Sequence, residues 1–369
     1  MFVYVFMLIL VLGTFIYSEG IASTGSGQVH CAEAKGSKSM LILVFAILLF
    51  ISTFRADRIG ADHEKYVALF RSIESAGTLY FAQNGEIGYV FLNKIAHFIS
   101  ENSYSLNFVV TFLLLFGYYV YIKNFVEPSY WWMALMVFVL HPYLYIQSSF
   151  NAMRQCCAMG IVMFATYFLH KEKKLRFVIL CVAAGTFHKS ALAMILLLVI
   201  YFIPWNKMLH QLIAVVMFMI NILPTEKLMA LIASVLKYDV YSSYEASILN
   251  NKAYTLFIAV VIMVLLSKYD KLYTIPKEKL CVDIYLLSMS FLLFAVKNDM
   301  LYRVYMYLAL LSVPGITVIC KNAFRFVRPS TLVKYLYVGY YACFYIGYIG
   351  LLVINQNEHY VPFLFLWNA

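Results

Sequence analysis

The sequence is poor in charged residues and lacks the motifs of several large enzyme classes. Only 12% of its 369 residues are Asp, Glu, Lys or Arg, whereas 63% are hydrophobic. One soluble core cannot hide so much apolar surface, so this composition excludes an ordinary soluble domain. No HExxH, Walker A, GxGxxG or GxSxG pattern is present, and no Asp-rich motif that would bind a metal and a nucleotide sugar. These absences argue against zinc hydrolases, P-loop enzymes, dinucleotide enzymes and serine hydrolases.

Cysteine usage gives no sign of a disulfide framework or a metal site. The seven cysteines are an odd number, and all but Cys31 lie inside apolar runs without CxxC or metal-ligand spacing. Cysteines in such runs are small core residues. We therefore expect neither a metal nor a cofactor.

The net charge of +10 does not indicate nucleic-acid binding, because most Lys and Arg lie in short turns between apolar runs. Membrane topology explains such turns, since cytoplasmic loops are enriched in Lys and Arg. The turn KEKKLR, residues 171–176, is the clearest example. We expect the lipid bilayer, and no nucleic acid, as the partner of this chain.

Apolar runs of roughly 16–22 residues predict the fold class: an all-α polytopic integral membrane protein with about 12 (10–12) transmembrane helices. The first run, 1–17, has no Lys or Arg before it and is predicted to be a span rather than a signal peptide. Both chain termini are then outside. The predicted spans are 1–17, 39–54, 105–122, 130–147, 152–170, 175–187, 190–203, 208–223, 253–268, 281–296, 301–320 and 333–354.

The run 175–203 is too long for one span and short for two. Two crossings agree better with the positive-inside rule for the turns that follow. They require a bend at His188, below the outer surface, because thirteen residues of helix reach only about 20 Å. Irregular backbone at membrane depth needs protein or a water-filled cavity around it, so the bend predicts an outward-facing cavity.

We treat residues 1–369 as a single transmembrane domain with two long external segments. The first, 55–104, contains residues 86–98, where Ile87, Val90, Phe91, Lys94, Ile95 and Phe98 recur at helical spacing. That pattern predicts an amphipathic helix on the membrane face. The second external segment is 224–252.

Several ionisable residues fall on the outer side of this topology. Arg154 and Arg303 lie at outer span ends, against the positive-inside rule, and an arginine so placed usually has a ligand or partner. The planar guanidinium fork suits a pyrophosphate, and at an outer membrane face the natural pyrophosphate is that of a lipid-linked sugar. Glycosyl transfer also needs a base for the attacking hydroxyl. The predicted pyrophosphate- or glycan-binding residues are Arg55, Arg58, Asn151, Arg154, Lys189 and Arg303, and the predicted catalytic residues are His188 as base with Asp62 and Glu86 as orienting groups or rivals.

The motifs that carry these residues resemble the EpsG family of bacterial polysaccharide polymerases, which is related in role to the Wzy polymerases. They are RIGADHEKY (58–66), EIGYVFLN (86–93), NAMRQ (151–155), HKSAL (188–192) and Arg303 followed by Tyr305. The resemblance covers about residues 40–320, and the final segment, ending VPFLFLW, gives no firm match.

The resemblance implies polymerisation of undecaprenyl pyrophosphate-linked repeat units into O-antigen, capsule or exopolysaccharide, with both donor and acceptor lipid-linked. It places the reaction at the outer face of the bacterial cytoplasmic membrane, beside a flippase and a chain-length regulator, without nucleotide sugar or metal. Two alternatives stay open. An O-antigen ligase should carry a large late external loop, whereas a flippase should carry charges through both halves of its spans.

Overall fold

The computed structural model describes residues 2–23, 29–73, 86–141, 143–222, 252–296, 299–326, 330–355 and 357–368. In this part of the chain the only extended pairing is an isolated bridge between Arg55 and Phe365, so the predicted all-α class is confirmed. The helices are α1 (Phe2–Ser23), α2 (Val29–Thr53), α3 (His63–Arg71), α4 (Ile87–Ile99), α5 (Ser103–Phe125), α6 (Trp131–Leu140), α7 (Met153–His170), α8 (Lys174–Gly185), α9 (Leu197–Phe202), α10 (Lys207–Ile222), α11 (Lys252–Ser267), α12 (Pro276–Ala295), α13 (Asp299–Leu311), α14 (Val313–Phe326) and α15 (Ser330–Ile354).

The chain forms two compact units, residues 1–195 with 327–369, and residues 196–326. In the first unit, α7 packs against both α5 and α8, and α2 and α4 pack on α5. Glycines allow α5 and α7 to approach closely. A Cβ atom at Gly117 would collide with the backbone of Gly160, and one at Gly160 would collide with the backbone of Leu113.

Helix α6 lies at the centre of another part of the first unit. Each of its residues from Trp131 to Leu140 is buried, and α1 and α15 pack against it. A helix that is apolar on every side needs neighbours on every side. Hydrogen bonds from the hydroxyls of Tyr118 to the Ala134 carbonyl (2.8 Å) and of Tyr337 to the Met133 carbonyl (3.0 Å) join α6 to its surroundings.

The C-terminal segment, residues 357–368, docks on the loop between α2 and α3. The amides of Ala56 and Gly60 donate to the carbonyls of Leu364 (2.9 Å) and His359 (2.8 Å). Gly60 has a φ of +111°, and a Cβ atom there would collide with the Phe150 carbonyl. No sequence pattern predicts that this segment holds the loop that carries Arg58 and Asp62.

Tyr360 joins this segment to two further elements. Its hydroxyl donates to Oε1 of Gln147 (2.9 Å), the first residue of a π-helical turn, Gln147–Asn151, that precedes α7. Its carbonyl accepts from the hydroxyl of Tyr4 on α1 (2.8 Å). The ring is buried. The C-terminal segment therefore contacts both the α2–α3 loop and the chain that leads into α7.

The second unit is built around α12, which packs against α10, α11, α13 and α14. The buried Asp283 carboxylate on α12 lies 2.8 Å from Nε2 of His210 and accepts from the Tyr269 hydroxyl (2.6 Å) and the Lys279 ammonium (2.8 Å). Glu278, one turn earlier, accepts from Lys321 (2.8 Å). Buried carboxylates need such partners, so these contacts stabilise one end of this unit.

The prediction of about 12 crossings is not confirmed. Among the described residues, three helices are long and apolar enough to cross a membrane: Phe2–Gly20, Ser103–Phe125 and Thr331–Ile354. A fourth candidate is a pair, Leu301–Leu311 with Val313–Ala323, bent by 47°. Several other predicted spans correspond to apolar helices of 10–17 residues. The outward cavity and the single-domain organisation stay predictions.

The predicted helix over residues 86–98 is present as α4, Ile87–Ile99. The predicted break in 175–203 is also present, because α8 ends at Gly185 and a 3-10 helix begins at Lys189. The second external segment, 224–252, lies outside the described residues except for its last residue, the start of α11.

The contact between α5 and α7 can be tested with the same Gly→Ala substitution at two positions. Gly160→Ala places a methyl group against the Leu113 backbone, whereas Gly347→Ala on α15 meets no atom within 4 Å. We expect Gly160→Ala to lower the free energy of unfolding by about 1–3 kcal/mol, as overpacking does. Gly347→Ala should leave stability equal or higher, because Ala is the better helix former. Thermal unfolding of both variants in detergent measures the difference, and equal midpoints would contradict the close packing.

The role of the C-terminal segment can be tested at the Tyr360 hydroxyl. Tyr360→Phe keeps the ring but leaves Gln147 without its donor, which should lower the free energy of unfolding by about 1 kcal/mol. Tyr335→Phe removes a hydroxyl from an exposed tyrosine of α15 and is the matched control. Thermal unfolding is again the measurement. A Tyr360→Phe midpoint equal to that of the control would show that this hydrogen bond does not hold the segment.

Candidate active site

Three interruptions of helical structure meet in the first unit. The π-helical turn ends at Asn151, and α7 begins two residues later at Met153. The bend after α8 contains His188. The third is the start of α4, whose N-cap residue is Glu86. The motifs NAMRQ, HKSAL and EIGY thus all lie where a helix begins or ends.

Gly88 brings the start of α4 against the bend after α8. Its amide donates to the carbonyl of Thr186 (3.0 Å). A Cβ atom at Gly88 would collide with the side chains of Thr186 and Phe187. Only glycine permits this approach without displacement of the bend, and the approach places Glu86 beside His188.

The Glu86 carboxylate lies between Arg154 and His188. Nη1 of Arg154, in the first turn of α7, donates to Oε2 of Glu86. Nδ1 of His188 lies 3.2 Å from Oε1. The side chains of Glu86 and His188 are 3% and 8% exposed, whereas that of Arg154 is 25% exposed. Three of the predicted site residues, from segments far apart in sequence, are therefore in direct contact.

Glu86 is ionised in this arrangement. Burial alone would raise the pKa of its carboxyl, but the hydrogen bond with His188 and the charge of Arg154 outweigh burial and lower it. An ionised carboxylate only accepts hydrogen bonds, so Nδ1 of His188 must carry the hydrogen. In a neutral imidazole Nε2 then carries the lone pair. The arrangement gives His188 the tautomer of a general base oriented by a carboxylate.

Tyr66 on α3 also contacts Arg154. The Nε of Arg154 donates to the Tyr66 hydroxyl (3.3 Å), and the guanidinium carbon lies 5.7 Å from the centre of the ring. The Tyr66 ring packs edge-on against Tyr89 of α4, at 5.8 Å. Tyr66 and Glu86 together fix the plane of the guanidinium. Tyr66 ends the motif RIGADHEKY but is not among the site residues predicted from the sequence.

Asp62 and Asn151 form a second contact in the same unit. The Asp62 amide donates to Oδ1 of Asn151 (2.6 Å). The Asp62 side chain is 45% exposed and pairs with Lys65 at 2.8 Å. Asn151 therefore holds the backbone before α3, which is a positioning role. Among the described residues, no hydrogen bond or ion pair joins Asp62 to Glu86, Arg154 or His188.

Arg55 is completely buried rather than presented at a surface. Its Nη1 donates to the carbonyl (2.5 Å) and hydroxyl (3.0 Å) of Ser52, and its Nε donates to the Ile59 carbonyl (3.3 Å). Burial lowers the pKa of the guanidinium to about 10, so the group stays charged at neutral pH. Nη2 has no hydrogen-bond partner among the described residues. Here Arg55 supports the α2–α3 loop.

The remaining predicted cations are placed differently. Arg58, in the α2–α3 loop, and Lys189, directly after His188, are both exposed. Arg303 lies on α13 in the second unit. The contacts around Glu86 therefore include one of the four predicted arginines, Arg154. The binding of pyrophosphate or glycan by any of the four stays a prediction.

Comparison with known protein families supports the resemblance that the motifs indicate. The model of the EpsG family matches residues 38–365, which extends the resemblance beyond residue 320 and into the C-terminal segment. No curated protein and no solved structure matches the chain. The matched range contains every residue of the cluster described above. The chain belongs to the EpsG family, a family of membrane proteins resembling the Wzy-type polysaccharide polymerases.

Proposed function

We propose that this protein is a glycosyltransferase that polymerises undecaprenyl pyrophosphate-linked oligosaccharide repeat units at the outer face of the bacterial cytoplasmic membrane. The observation that carries the proposal is the Glu86 carboxylate in contact with both Arg154 and His188. It combines an oriented imidazole with a partly exposed guanidinium. Those are the two groups that transfer from a pyrophosphate donor requires.

In the proposed reaction, a hydroxyl oxygen of the acceptor repeat unit attacks the anomeric carbon of the donor glycan. The hydroxyl proton moves to Nε2 of His188 as the new glycosidic bond forms. The bond between the anomeric carbon and the pyrophosphate oxygen breaks, and the pyrophosphate leaves with the electron pair. Glu86 stabilises the imidazolium through Nδ1, and Arg154 stabilises the charge on the leaving group.

The other groups act around this centre. Tyr66 holds the Arg154 fork, and Asn151 holds the backbone at Asp62. Arg58, Lys189 and Arg303 are proposed to bind the pyrophosphate or the glycan, and Asp62 is proposed to orient a sugar hydroxyl. Arg55 is proposed to act on glycan binding through the α2–α3 loop. A flippase that supplies the units and a regulator of chain length are the proposed protein partners.

The base and its orienting carboxylate can be tested in a deletion strain complemented with variants. We expect His188→Ala and Glu86→Gln each to lower polymer output about 10²–10⁴-fold, the usual contribution of general base catalysis. The measurement is the length distribution of the extracted polysaccharide on a gel, with protein amount in the membrane fraction checked by immunoblot.

Matched controls exist for both substitutions. Glu64→Gln alters an exposed glutamate of α3, and His170→Ala removes an imidazole at the far end of α7 from Arg154. Both should keep the wild-type ladder. Normal polymer from His188→Ala would exclude it as the base. Single repeat units on the surface indicate loss of polymerisation, whereas complete loss of surface glycan would favour the ligase or flippase alternatives.

The role of the planar guanidinium of Arg154 can be tested separately from the role of its charge. Arg154→Ala should lower activity by about 10²–10³-fold, as loss of one transition-state donor does. Arg154→Lys keeps the charge without the planar fork, so we expect activity between that of the alanine variant and wild type. Arg176→Ala, at an exposed arginine in the first turn of α8, is the control. Polymer output and accumulation of lipid-linked single units measure the effect. Wild-type output from Arg154→Lys would show that charge alone suffices.

A further inference from the structure

Helix α4 exposes a continuous apolar face. Ile87, Phe91, Ile95 and Phe98 are 58%, 64%, 41% and 92% exposed, and their spacing places them on one side of the helix. The opposite side, with Tyr89, Leu92 and Ala96, is buried in the first unit. A row of large apolar side chains this exposed needs a partner.

The helix is too short to cross a bilayer. Its 13 residues span about 20 Å at 1.5 Å per residue, whereas the hydrocarbon core is about 30 Å thick. It contains no Asp or Glu, and Lys94 lies exposed among the apolar residues of this face. An apolar face with a basic residue is typical of a helix that lies in the membrane interface.

The helix on which α4 packs is one that can meet lipid. Helix α4 packs against α5, which is long and apolar enough to span the membrane. On its exposed side α5 carries Phe108, Phe112 and Phe116, whose rings stack at 5.9 and 6.0 Å. In a membrane protein, outward phenylalanines of a spanning helix contact acyl chains, so lipid lies beside the helix on which α4 packs.

We propose that α4 lies in the plane of the bilayer interface with Ile87, Phe91, Ile95 and Phe98 among the lipid acyl chains. Glu86, the N-cap of this helix, is then held at the depth of the lipid headgroups. If the proposed function is right, on which this second step rests, a lipid-borne pyrophosphate lies at that same depth. The membrane contact of α4 thus sets the height of the Glu86–Arg154–His188 cluster relative to its substrate.

The orientation of α4 can be measured without any activity assay. Ile87→Trp and Phe98→Trp variants of the full-length protein are placed in phosphatidylcholine–phosphatidylglycerol vesicles containing lipids brominated at known acyl positions. Quenching by each lipid gives the depth of the added tryptophan, after subtraction of the signal from the four native tryptophans. An in-plane helix gives the same depth at both positions.

Two outcomes would overturn the membrane contact. A depth difference approaching 16 Å, the axial separation of eleven residues, would mean that α4 inserts along the bilayer normal. Absence of quenching at both positions would mean that water, a second copy or another protein covers the face. Phe108→Trp and Phe116→Trp calibrate the method, because positions eight residues apart on spanning α5 should differ by about 12 Å before any tilt.

The second step, the link between the membrane depth of α4 and catalysis, is tested by placing a charge on the same face. Phe98→Asp should lower polymer output at least tenfold while the protein amount in the membrane stays unchanged, because a carboxylate resists burial in lipid. Phe98→Leu keeps the apolar contact and should retain output. Wild-type output from Phe98→Asp would refute the link between membrane depth and catalysis. A wild-type protein that makes no polymer would instead refute the proposed function and leave the depth measurement standing.

Discussion

The contact of one buried carboxylate with two partners organises the first unit. Glu86 is nearly inaccessible to solvent, and an unpaired charge at such a depth would cost several kcal/mol. Its partners are the guanidinium of Arg154 and the imidazole of His188, which come from separate helix ends. Loss of either partner leaves part of that charge uncompensated. The start of α4, the first turn of α7 and the bend after α8 are therefore energetically linked.

Irregular backbone makes the contacts of Glu86 possible. Other hydrogen bonds in the unit compensate for the helical hydrogen bonds that this irregular backbone lacks. The π-helical turn before α7 and the bend after α8 both interrupt helical hydrogen bonding, which a membrane protein tolerates only inside protein or beside water. The Ala152 amide donates to the Gln147 carbonyl (3.0 Å), and the Gly88 amide donates to the Thr186 carbonyl (3.0 Å). The Tyr360 side chain holds the start of the π-helical turn. These contacts keep the three interruptions in place.

The features that could be predicted from the sequence are those with a local pattern. The periodicity of residues 86–98 predicted α4, and the length of 175–203 predicted the break at His188. Charge against the positive-inside rule selected Arg154 as a residue with a ligand or partner, and the structure pairs it with Glu86. The number of spans is not confirmed, because apolar runs do not reveal where a helix stops, as at the end of α6.

Backbone contacts between segments far apart in the chain leave no local pattern in the sequence. The C-terminal segment binds the α2–α3 loop through backbone amides and carbonyls, which nearly all residue types have. The sequence VPFLFLW therefore does not reveal this contact. Arg55 resembles any outward arginine in sequence, yet its side chain is fully buried and its backbone pairs with Phe365 of that segment. In the sequence, nothing distinguishes Gly88 and Gly60 from the other glycines. Their need for close approach depends on Thr186 and Phe150, which are 98 and 90 residues away in the chain, respectively.

The charge balance of the cluster constrains the proposed chemistry. In the proposed reaction His188 is neutral before it accepts a proton, and the negative charge of Glu86 then cancels the positive charge of Arg154, so the cluster at that stage has little attraction for a pyrophosphate. When His188 accepts a proton, the cluster gains a positive charge in the same step in which the leaving pyrophosphate gains a negative one. Electrostatic stabilisation would then be strongest in the transition state, where it accelerates the reaction, rather than in the ground state. Ground-state affinity for the carrier would have to come from cations outside the cluster and from lipid contacts.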